Sequence, residues 1–580
     1  MIKKIFVIIL VIIVLTVNVT IYCNLNKYIS ILEILFKEKI YLSSISYTVI
    51  CSIIAIISIL TIIGIIIIVF KKKNEIKGIK WKLEDGTYGT SNWMSDVELE
   101  NILGKNEREG IILGTKNNDI IKIPFDSYFN KNIAVFGSSG SMKTISFLIT
   151  NLLELSKTKK SIVVTDAKGE IYRKTNTLFR KNGYIVKVLN LKDMEHSDRW
   201  NPLAENEEVT DIQTSSSVII TGTQKKSGKD DFWPRAEENL LKAFQFYFME
   251  NKLEQNTLTD IYKSIAGGDI ATLDNMFKKI QKDNPARMSY NIFANGSETI
   301  KASVLTGLGT RLQSFQNKEL QELTNNTDID LTLPGKEPCI YYVISSDVDS
   351  SRDFLVSLFF TFLFIKLVKY ADSKEDGKLD NEVFFFLDEF ANIGEIPDFN
   401  KKISTVRSRG ISLIPIVQNI GQIKNRYPGD SWQEIIGNCD FRLCLGAADT
   451  LTAEYFSELI GVATIEQHSI KQNAGIEGHF EYGQENIGTM KRNLLNPDEI
   501  LRLPYNQVLI NIRGNKPILL EKMIYTKHSL AESLEDKSIL EYLPNWSEKD
   551  IQKTKSNAEE VVENTVEIKE EKKINDFDMF

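Results

Sequence analysis

The stretch that decides the fold is Lys131-Asn-Ile-Ala-Val-Phe-Gly-Ser-Ser-Gly-Ser-Met-Lys-Thr144. Its apolar run, Ile133 to Phe136, predicts a buried strand, and the apolar residues that follow Thr144 predict a helix. Small residues join the two. This order is typical of a phosphate-binding loop, in which backbone N–H groups turn inward, a lysine reaches the phosphates and a hydroxyl binds Mg²⁺ at the start of the helix.

Eight residues form the predicted loop, and one of them departs from the usual pattern. The predicted phosphate-binding residues are Gly137, Ser138, Ser139, Gly140, Ser141, Met142, Lys143 and Thr144. The pattern has glycine directly before the lysine, where this chain has Met142, so that position has to accept a side chain. Small-residue clusters before helices are also common as plain turns, and the interpretation therefore depends on the rest of the chain.

Composition limits the class of protein. The chain has 580 residues, of which 43% are hydrophobic and 25% charged, and its formal net charge is −7. A length of this kind is enough for several domains. The negative net charge excludes a globally basic nucleic-acid coat, so any DNA contact has to come from a local patch or a lined channel. The five cysteines and four histidines show no spacing typical of a zinc site or a disulfide framework.

Two N-terminal segments, 5–23 and 46–70, carry no charged residue and predict transmembrane helices. Lys3 and Lys4 precede the first segment, and three lysines from Lys71 follow the second. The positive-inside rule then places both termini in the cytoplasm, so we expect a multi-pass protein of the plasma membrane. The alternatives are a cleaved signal peptide for the first segment and a buried core helix for the second.

After the loop, predicted strands and helices alternate, and a long stretch with only helical periodicity follows. A run from Ser161 to Asp166 predicts a second buried strand, which completes a strand–helix–strand unit with a parallel pair, and Tyr184 to Leu189 predicts a third. Helical periodicity then dominates from 205 to 327 and predicts an all-α insertion. Its basic stretch, Lys225 to Lys229, is either a solvated loop or a DNA contact.

Strand patterns resume after the insertion. The predicted strands are Cys339 to Ile344, Val383 to Leu387, Ile411 to Val417, Phe441 to Leu445 and Val508 to Ile512. Because Pro415 lacks a ladder donor, we expect its strand to lie near a sheet edge or to be bulged. The predicted division is a membrane anchor at 1–75, a membrane-proximal segment at 76–130, an α/β nucleotide-binding domain at 131–204 and 328–535, the insertion at 205–327, and a disordered charged tail at 547–580.

Carboxylates and an amide follow two of these strands. Asp388 and Glu389 come directly after five apolar residues, in the cleft beyond the carboxyl edge of the sheet where ligands bind in such folds. Asp388 is predicted to hold Mg²⁺ together with Thr144, and Glu389 to orient or deprotonate the attacking water. Gln418 ends the next strand and could sense the terminal phosphate. Arg407 and Arg409 precede that strand, and one of them could act on a neighbouring subunit's nucleotide.

Taken together, these motifs resemble the type IV secretion coupling proteins, the TraG/TraD group of conjugative ATPases. The motifs that carry the resemblance are Gly89-Thr-Ser-Asn-Trp93, the loop at Gly137–Thr144, Thr165-Asp-Ala-Lys-Gly169, Asp198-Arg-Trp-Asn-Pro-Leu203, Phe385-Phe-Leu-Asp-Glu-Phe390, Gln418-Asn419, and Pro497-Asp-Glu-Ile500 through Arg513-Gly-Asn-Lys-Pro517. The resemblance implies a RecA-like domain with an all-α insertion that assembles into a hexameric ring. By resemblance, Lys143, Glu389 and Gln418 are catalytic, and Arg407 lies near the neighbour's nucleotide.

The function that the resemblance implies is ATP- and Mg²⁺-dependent transfer of single-stranded DNA. In it, a membrane ATPase recruits the relaxase–DNA substrate and drives the strand to a type IV secretion channel. One alternative is an FtsK-type DNA translocase, which would be expected to carry more membrane helices and a C-terminal DNA reader. The other is a non-catalytic adaptor that recruits protein substrates, with Met142 marking a weakened nucleotide site.

Overall fold

The computed structural model describes residues 79–224, 232–250, 256–346, 349–471 and 484–546, with single helical positions between 16 and 56. Apart from such positions, the predicted membrane segments 5–23 and 46–70 lie outside the described residues, as does the predicted tail at 547–580. The chain divides into two compact units. The larger contains Leu83–Thr464 and Lys491–Phe580, and the smaller contains Met1–Lys82 and Ile465–Met490.

The larger unit is built on one mixed sheet of twelve described strands. In chain order the strands of the described residues are β1 Gly104–Lys105, β2 Gly110–Lys116, β3 Asp119–Pro124, β4 Ile133–Gly137, β5 Ser161–Thr165, β6 Ile185–Asn190, β7 Cys339–Ile344, β8 Val383–Leu387, β9 Ile411–Val417, β10 Phe441–Gly446, β11 Val462–Lys471, β12 Gln484–Asn493, β13 Gln507–Ile512 and β14 Ile518–Glu521. The order across the sheet is β1-β3-β2-β14-β13-β10-β4-β9-β8-β5-β7-β6, and β11 pairs with β12 separately.

Helices cover the sheet and form the insertion. In the described residues they are α1 Asp96–Ile102, α2 Ile149–Leu155, α3 Glu170–Lys181, α4 Val209–Gly222, α5 Phe232–Glu250, α6 Leu258–Gly267, α7 Ile270–Lys278, α8 Pro285–Ala294, α9 Glu298–Arg311, α10 Lys318–Leu323, α11 Asp353–Asp372, α12 Phe399–Thr405, α13 Ile420–Arg426, α14 Ser431–Gly437, α15 Thr450–Ile460 and α16 Pro497–Leu501. Lys143–Leu148 forms a π-helical turn that continues into α2. Short 3₁₀ turns lie between several of these elements.

The seven strands from β10 to β6 are parallel to one another, and they are the apolar runs that the sequence predicts. Every residue of β4, β5, β7 and β8 is buried. Strands covered by helices on both faces are expected to be continuously apolar, which explains why these runs do not alternate with polar residues. The parallel arrangement brings the carboxyl ends of β4, β8 and β9 to the same edge of the sheet.

The expectation that the strand with Pro415 lies near an edge is wrong. β9 lies in the middle of the sheet, between β4 and β8. Its pairing with β8 includes Pro415 opposite Leu387. Its pairing with β4 begins only at Ile416 opposite Val135, directly after the proline. The missing N–H is therefore accommodated where one ladder starts, and an edge position is not needed.

Antiparallel strands extend the sheet beyond β10. β13 pairs with β10, β14 with β13, β2 with β14, and β3 with β2 and β1. β1, β2 and β3 fall in the predicted membrane-proximal segment 76–130, and the structure places them in the same sheet as the predicted nucleotide-binding strands. The C-terminal strand β14 provides this connection, through a single pairing of Glu521 with Thr115.

The helices α4 to α10 stand between β6 and β7, where the sequence predicts the insertion. The two ends of this segment meet at its base. Arg199 Nε donates to Asp328 Oδ2 at 2.8 Å, and Asp328 N–H donates to the Arg199 carbonyl at 2.8 Å. Arg199 belongs to the Asp198–Leu203 motif. That motif therefore closes the loop through which the insertion leaves the sheet and returns to it.

Among the residues that the structure describes, one helical stretch, Ser350–Asp372, is long and apolar enough to cross a membrane. It contains α11 and is mostly buried inside the protein. The ring of Phe364 stacks on Phe385 of β8, with 4.8 Å between the ring centroids. The apolar character of α11 is thus explained by packing against the central sheet.

The smaller unit contains most of the two-stranded sheet of β11 and β12. Trp81 forms an isolated bridge with Ile465, and Lys80 Nζ lies 3.2 Å from Glu466 Oε1. The sequence analysis does not predict these two strands, because they lack the continuous apolar run that marks the buried parallel strands.

Candidate active site

The loop after β4 has the tight geometry that phosphate binding requires. A Cβ atom at Gly137 would clash with Ser141 Oγ, so only glycine fits there. Gly140 has a φ of 79°, and Met142 has a φ of 69° and a ψ of 22°, both in the left-handed region. Met142 thus adopts the backbone that glycine adopts freely, at a cost of roughly 1–2 kcal/mol for a residue with a side chain. The loop keeps its shape with methionine in this place.

The loop also offers free hydrogen-bonding capacity. Ser141 Oγ is buried and has no hydrogen-bond partner among the described residues. The Ser138 N–H donates to the Gly446 carbonyl at 3.0 Å, which ties the start of the loop to the end of β10. Ser139 and Gly140 are exposed at its tip. An unpaired buried hydroxyl in a glycine-rich turn fits an anionic ligand with phosphate oxygens.

Lys143 is buried and folds back over its own loop. Its Nζ donates to the Gly137 carbonyl at 2.7 Å. Lys143 is the first residue of the π-helical turn, and the partly exposed Thr144 is the second. Both side chains therefore stand at the start of a helix, where the backbone N–H groups and the helix dipole favour an anion.

The second half of the site is the end of β8. Asp388 and Glu389 follow the strand directly, and Glu389 has a φ of 50°. Thr165 Oγ1, at the end of β5, donates to the Asp388 carbonyl at 2.7 Å, and the Glu389 N–H donates to Asp388 Oδ1 at 3.1 Å. A left-handed residue at an active site is a strained backbone held by its surroundings. Here that residue is Glu389, whose carboxylate contacts Lys143 and Gln418.

The two halves meet. Lys143 Nζ lies 3.9 Å from Glu389 Oε1, and Gln418 Nε2 donates to Glu389 Oε2 at 2.9 Å. Gln418 follows β9, which lies between β4 and β8, so its amide reaches the carboxylate from the intervening strand. The structure thus brings together Lys143, Asp388, Glu389 and Gln418, which the sequence predicts as site residues.

The electrostatic surroundings of Asp388 favour a bound cation. Burial, with the adjacent Glu389 carboxylate, raises the pKa of Asp388 to about 7, and the Lys143 ammonium opposes that rise. Magnesium binds through one or two carboxylates together with phosphate and water oxygens. The partly buried Asp388 and the hydroxyl of Thr144 fit that ligand chemistry, and such an ion would relieve the repulsion between the two carboxylates.

Arg407 is not part of this cleft. It is exposed and lies before β9, at the opposite end of the strand from Gln418, where its guanidinium donates to the Tyr128 carbonyl. Arg409 pairs with Asp372, with Nε 2.7 Å from Oδ1. The structure therefore does not bring Arg407 to the site of its own subunit. A role toward a neighbour's nucleotide remains a prediction.

Two residues of the Thr165–Gly169 motif stabilise the site in ways that the sequence analysis did not predict. Thr165 holds the end of β8, as described above. Asp166 is buried and accepts hydrogen bonds from the backbone N–H groups of Tyr172 at 2.8 Å and Glu170 at 3.1 Å. Asp166 thereby fixes the start of α3. The signal was present in the sequence as a Thr-Asp pair directly after an apolar run.

The arrangement suits phosphoryl transfer to water. Glu389 Oε2 is occupied by Gln418, so Oε1 is the oxygen available to accept a proton from an attacking water. Lys143 is placed to move from the Gly137 carbonyl to a phosphate oxygen, and the loop N–H groups can receive the remaining negative charge. Positioning and charge neutralisation of this kind are the protein's main contributions to such reactions.

Comparison with known proteins identifies the family and the fold. Residues 92–569 match the family model described as type IV secretory system conjugative DNA transfer. Relatives include the conjugal transfer protein TraG of Escherichia coli, 23% identical over 402 residues, which cover 64% of this chain and 62% of TraG. Protein VirD4 of Agrobacterium fabrum is 22% identical over 394 residues, which cover 66% of this chain and 57% of VirD4. The chain therefore spans less than two thirds of the length of these relatives.

Solved structures agree with the fold. The unbound conjugative coupling protein TrwB, 15% identical, has a TM-score of 0.57 over 77% of this chain and 96% of the TrwB chain. TrwB in complex with the ATP analogue ADPNP is 16% identical, with a TM-score of 0.57 over 78% and 97%. These likenesses confirm the predicted α/β fold, and the family model confirms the resemblance drawn from the motifs. The chain belongs to the type IV secretory system conjugative DNA transfer family.

Proposed function

We propose that this chain is a membrane-anchored ATPase that acts as the coupling protein of a type IV secretion system and drives single-stranded DNA to the secretion channel. The observation that carries the proposal is the contact of two strand ends: Lys143 of the β4 loop and Glu389 of the β8 end lie 3.9 Å apart, with Gln418 bound to the same carboxylate. Family membership gives this site its biological context.

ATP and Mg²⁺ are the proposed cofactors. TrwB, with a similar fold, has been solved in complex with ADPNP and with ADP and Mg²⁺. In this chain the loop Gly137–Thr144 would hold the phosphates, and Thr144 and Asp388 the metal. Mg²⁺, when bound, supplies charge neutralisation at the phosphates. Lys143, Glu389 and Gln418 are the proposed catalytic residues, and Arg407 is proposed to complete the site of a neighbouring subunit.

The proposed location and partners follow from the N-terminal sequence and the family. The uncharged segments 5–23 and 46–70 with their flanking lysines support a multi-pass protein of the plasma membrane with both termini in the cytoplasm. The proposed partners are a relaxase bound to single-stranded DNA, components of the secretion channel, and further copies of this chain in a hexamer. DNA held through its phosphates would make the affinity fall steeply with salt.

The experiment is ATP turnover by the full-length protein in detergent, with and without single-stranded DNA. Lys143→Ala should abolish turnover, since it removes the cation that the phosphates need. Lys424→Ala, an exposed lysine on α13, is the control and should behave as the wild type. A wild-type protein that binds nucleotide but shows no turnover at any concentration, with or without DNA, contradicts the ATPase proposal and favours the non-catalytic adaptor.

A further inference from the structure

A buried lysine stands behind the phosphate-binding loop. Lys522 follows β14 directly, and its side chain is almost fully buried. Its Nζ donates to three backbone carbonyls: Leu445 at 2.6 Å, Tyr505 at 2.7 Å and Ser141 at 3.0 Å. Ser141 belongs to the loop itself. The ammonium therefore joins the end of β10, the segment before β13 and the loop at one point.

Lys522 differs from the other buried lysines in its partners. Lys122 is equally buried, but its Nζ lies 2.7 Å from the Glu154 carboxylate. Among the described residues Lys522 makes no ion pair, and its three acceptors are neutral carbonyls. Burying a cation without a counter-charge is unfavourable by several kcal/mol. Buried groups perturbed in this way cluster at functional sites.

The contact with Ser141 controls the direction of a loop N–H. In a trans peptide the carbonyl and the following N–H point in opposite directions. Because Lys522 holds the Ser141 carbonyl on one side of the loop, the Met142 N–H is directed to the other. The same residue, Met142, has the left-handed backbone that closes the turn. One hydrogen bond thus fixes the peptide that precedes the strained residue.

We propose that Lys522 is a positioning residue for nucleotide binding: its ammonium fixes the Ser141–Met142 peptide so that its N–H faces the phosphates, and places a second positive charge behind the loop. The inference rests on the proposed nucleotide site and extends it to a residue distant in sequence from every motif in that site. Lys522 itself touches no phosphate. It acts through the backbone of Ser141 and stabilises the loop conformation in which an anion is bound.

The charge on Lys522 is sensitive to pH in a range where ordinary lysines are not. Burial lowers the pKa of Lys522 to about 8. The titratable groups that face it are the thiol of Cys444, whose pKa burial raises to about 12, and the phenol of Tyr505, whose ring centroid is 5.2 Å away. The charged residues next to it and to its loop contact along the chain are the exposed Glu521 and, two residues after Ser141, Lys143. The amine of Lys522 is therefore protonated below about pH 8 and loses its positive charge above it. Nucleotide affinity should fall as the pH rises through 8.

The test compares Lys522→Met and Lys522→Arg in the full-length protein, by titrating a fluorescent ADP analogue at pH 7 and pH 9. Lys522→Met should weaken binding about tenfold at pH 7, the loss expected for a charge-assisted hydrogen bond. Lys522→Arg keeps a charge at both pH values, so it should bind well and remove the decline seen in the wild type. Asp388 is common to all variants, and its titration cancels in the comparison.

Lys122→Met is the matched control, since it removes an equally buried lysine that pairs with Glu154. It should lower stability and leave the pH dependence of nucleotide binding unchanged. A wild type whose affinity changes between pH 7 and pH 9 no more than that of Lys522→Arg, or a folded Lys522→Met protein with wild-type affinity at pH 7, overturns the inference alone. A wild type that binds no nucleotide overturns the proposed function as well, so the two failures are distinguishable.

Discussion

The ends of β4 and β8 form the two halves of the proposed active site, and the charges at these two ends are balanced in different ways. Both strands are five buried residues long, and both are followed by a residue in the left-handed region, Met142 or Glu389. On the β4 side, the cation of Lys143 is satisfied by the carbonyl of Gly137. On the β8 side, two carboxylates lie together, and the pKa of Asp388 is raised to about 7.

This difference indicates which half depends on a ligand. On the loop side the cations are satisfied without nucleotide, because its lysines are bound to backbone carbonyls. The carboxylate side holds more negative charge than Lys143 can balance at 3.9 Å. A metal ion with a nucleotide would supply the missing positive charge on the β8 side and compete for Lys143 on the β4 side. The following variants test that asymmetry, from the largest expected effect to the smallest.

Glu389→Gln should give the largest effect. The amide keeps the shape of the side chain but cannot accept a proton from water, so turnover should fall about a hundredfold or more, in the range typical of a lost general base. Nucleotide affinity should stay close to that of the wild type, because the loop side is intact. The measurement is steady-state phosphate release together with nucleotide titration. Glu458→Gln on α15, an exposed site, is the control, and equal turnover in both variants would remove Glu389 from the chemistry.

Asp388→Asn should alter stability in a pH-dependent way. The folded pKa of about 7 lies above the unfolded value of roughly 3.9, so the folded wild type binds more protons between these values and its free energy of unfolding falls as the pH rises through that range. Asparagine does not titrate, so the variant does not lose stability in this way as the pH rises. Without Mg²⁺, the variant should therefore be more stable than the wild type by on the order of 2–4 kcal/mol at pH 8 and no more stable at pH 4.

The measurement for Asp388→Asn is thermal unfolding at both pH values, repeated with Mg²⁺ and ADP. These ligands should stabilise the wild type more than the variant, because the metal uses the carboxylate. If Asp388→Asn and the wild type are equally stable at pH 8 without metal, the end of β8 carries no excess negative charge. The proposed difference in charge balance between the ends of β4 and β8 is then wrong.

The strained loop gives the smallest effects, with opposite signs at two nearby positions. Gly140→Ala should lower stability by about 1 kcal/mol, because a φ of 79° strains a residue with a side chain even though no atom lies within 4 Å of the added Cβ. Met142→Gly should relieve a similar strain, partly offset by the flexibility of glycine in the unfolded chain, for a gain below about 1 kcal/mol. Chemical denaturation measures both. A gain with Gly140→Ala would show that the loop is not held as described.

The sequence was sufficient to predict the parallel strands and the polar residues that lie together at their ends. Continuous apolar runs followed by Gly137, by Asp388 and by Gln418 predicted β4, β8 and β9 together with the residues that meet beyond them. Local patterns suffice here because burial on both faces demands apolar residues, and the carboxyl ends of parallel strands share one edge.

The features that the sequence could not predict depend on contacts between strands that are far apart in the chain. Pro415 indicates an edge strand by its own chemistry, yet its position is central because the β4 ladder starts after it. Lys522 is a single lysine after the short strand β14, with no local sign that it contacts Ser141, 381 residues earlier. A contact of this kind follows from the order of strands in the sheet, which no local window of sequence contains.

The central claim is that the ends of β4 and β8 together hold one magnesium nucleotide. The most direct measurement is a crystal structure of the full-length chain with ADPNP and Mg²⁺. We expect Lys143 Nζ to leave the Gly137 carbonyl for a phosphate oxygen, and the metal to lie about 2.1 Å from Thr144 Oγ1, with Asp388 in its ligand shell directly or through water. Nucleotide bound elsewhere, or Lys143 still on the Gly137 carbonyl with nucleotide present, would contradict the account.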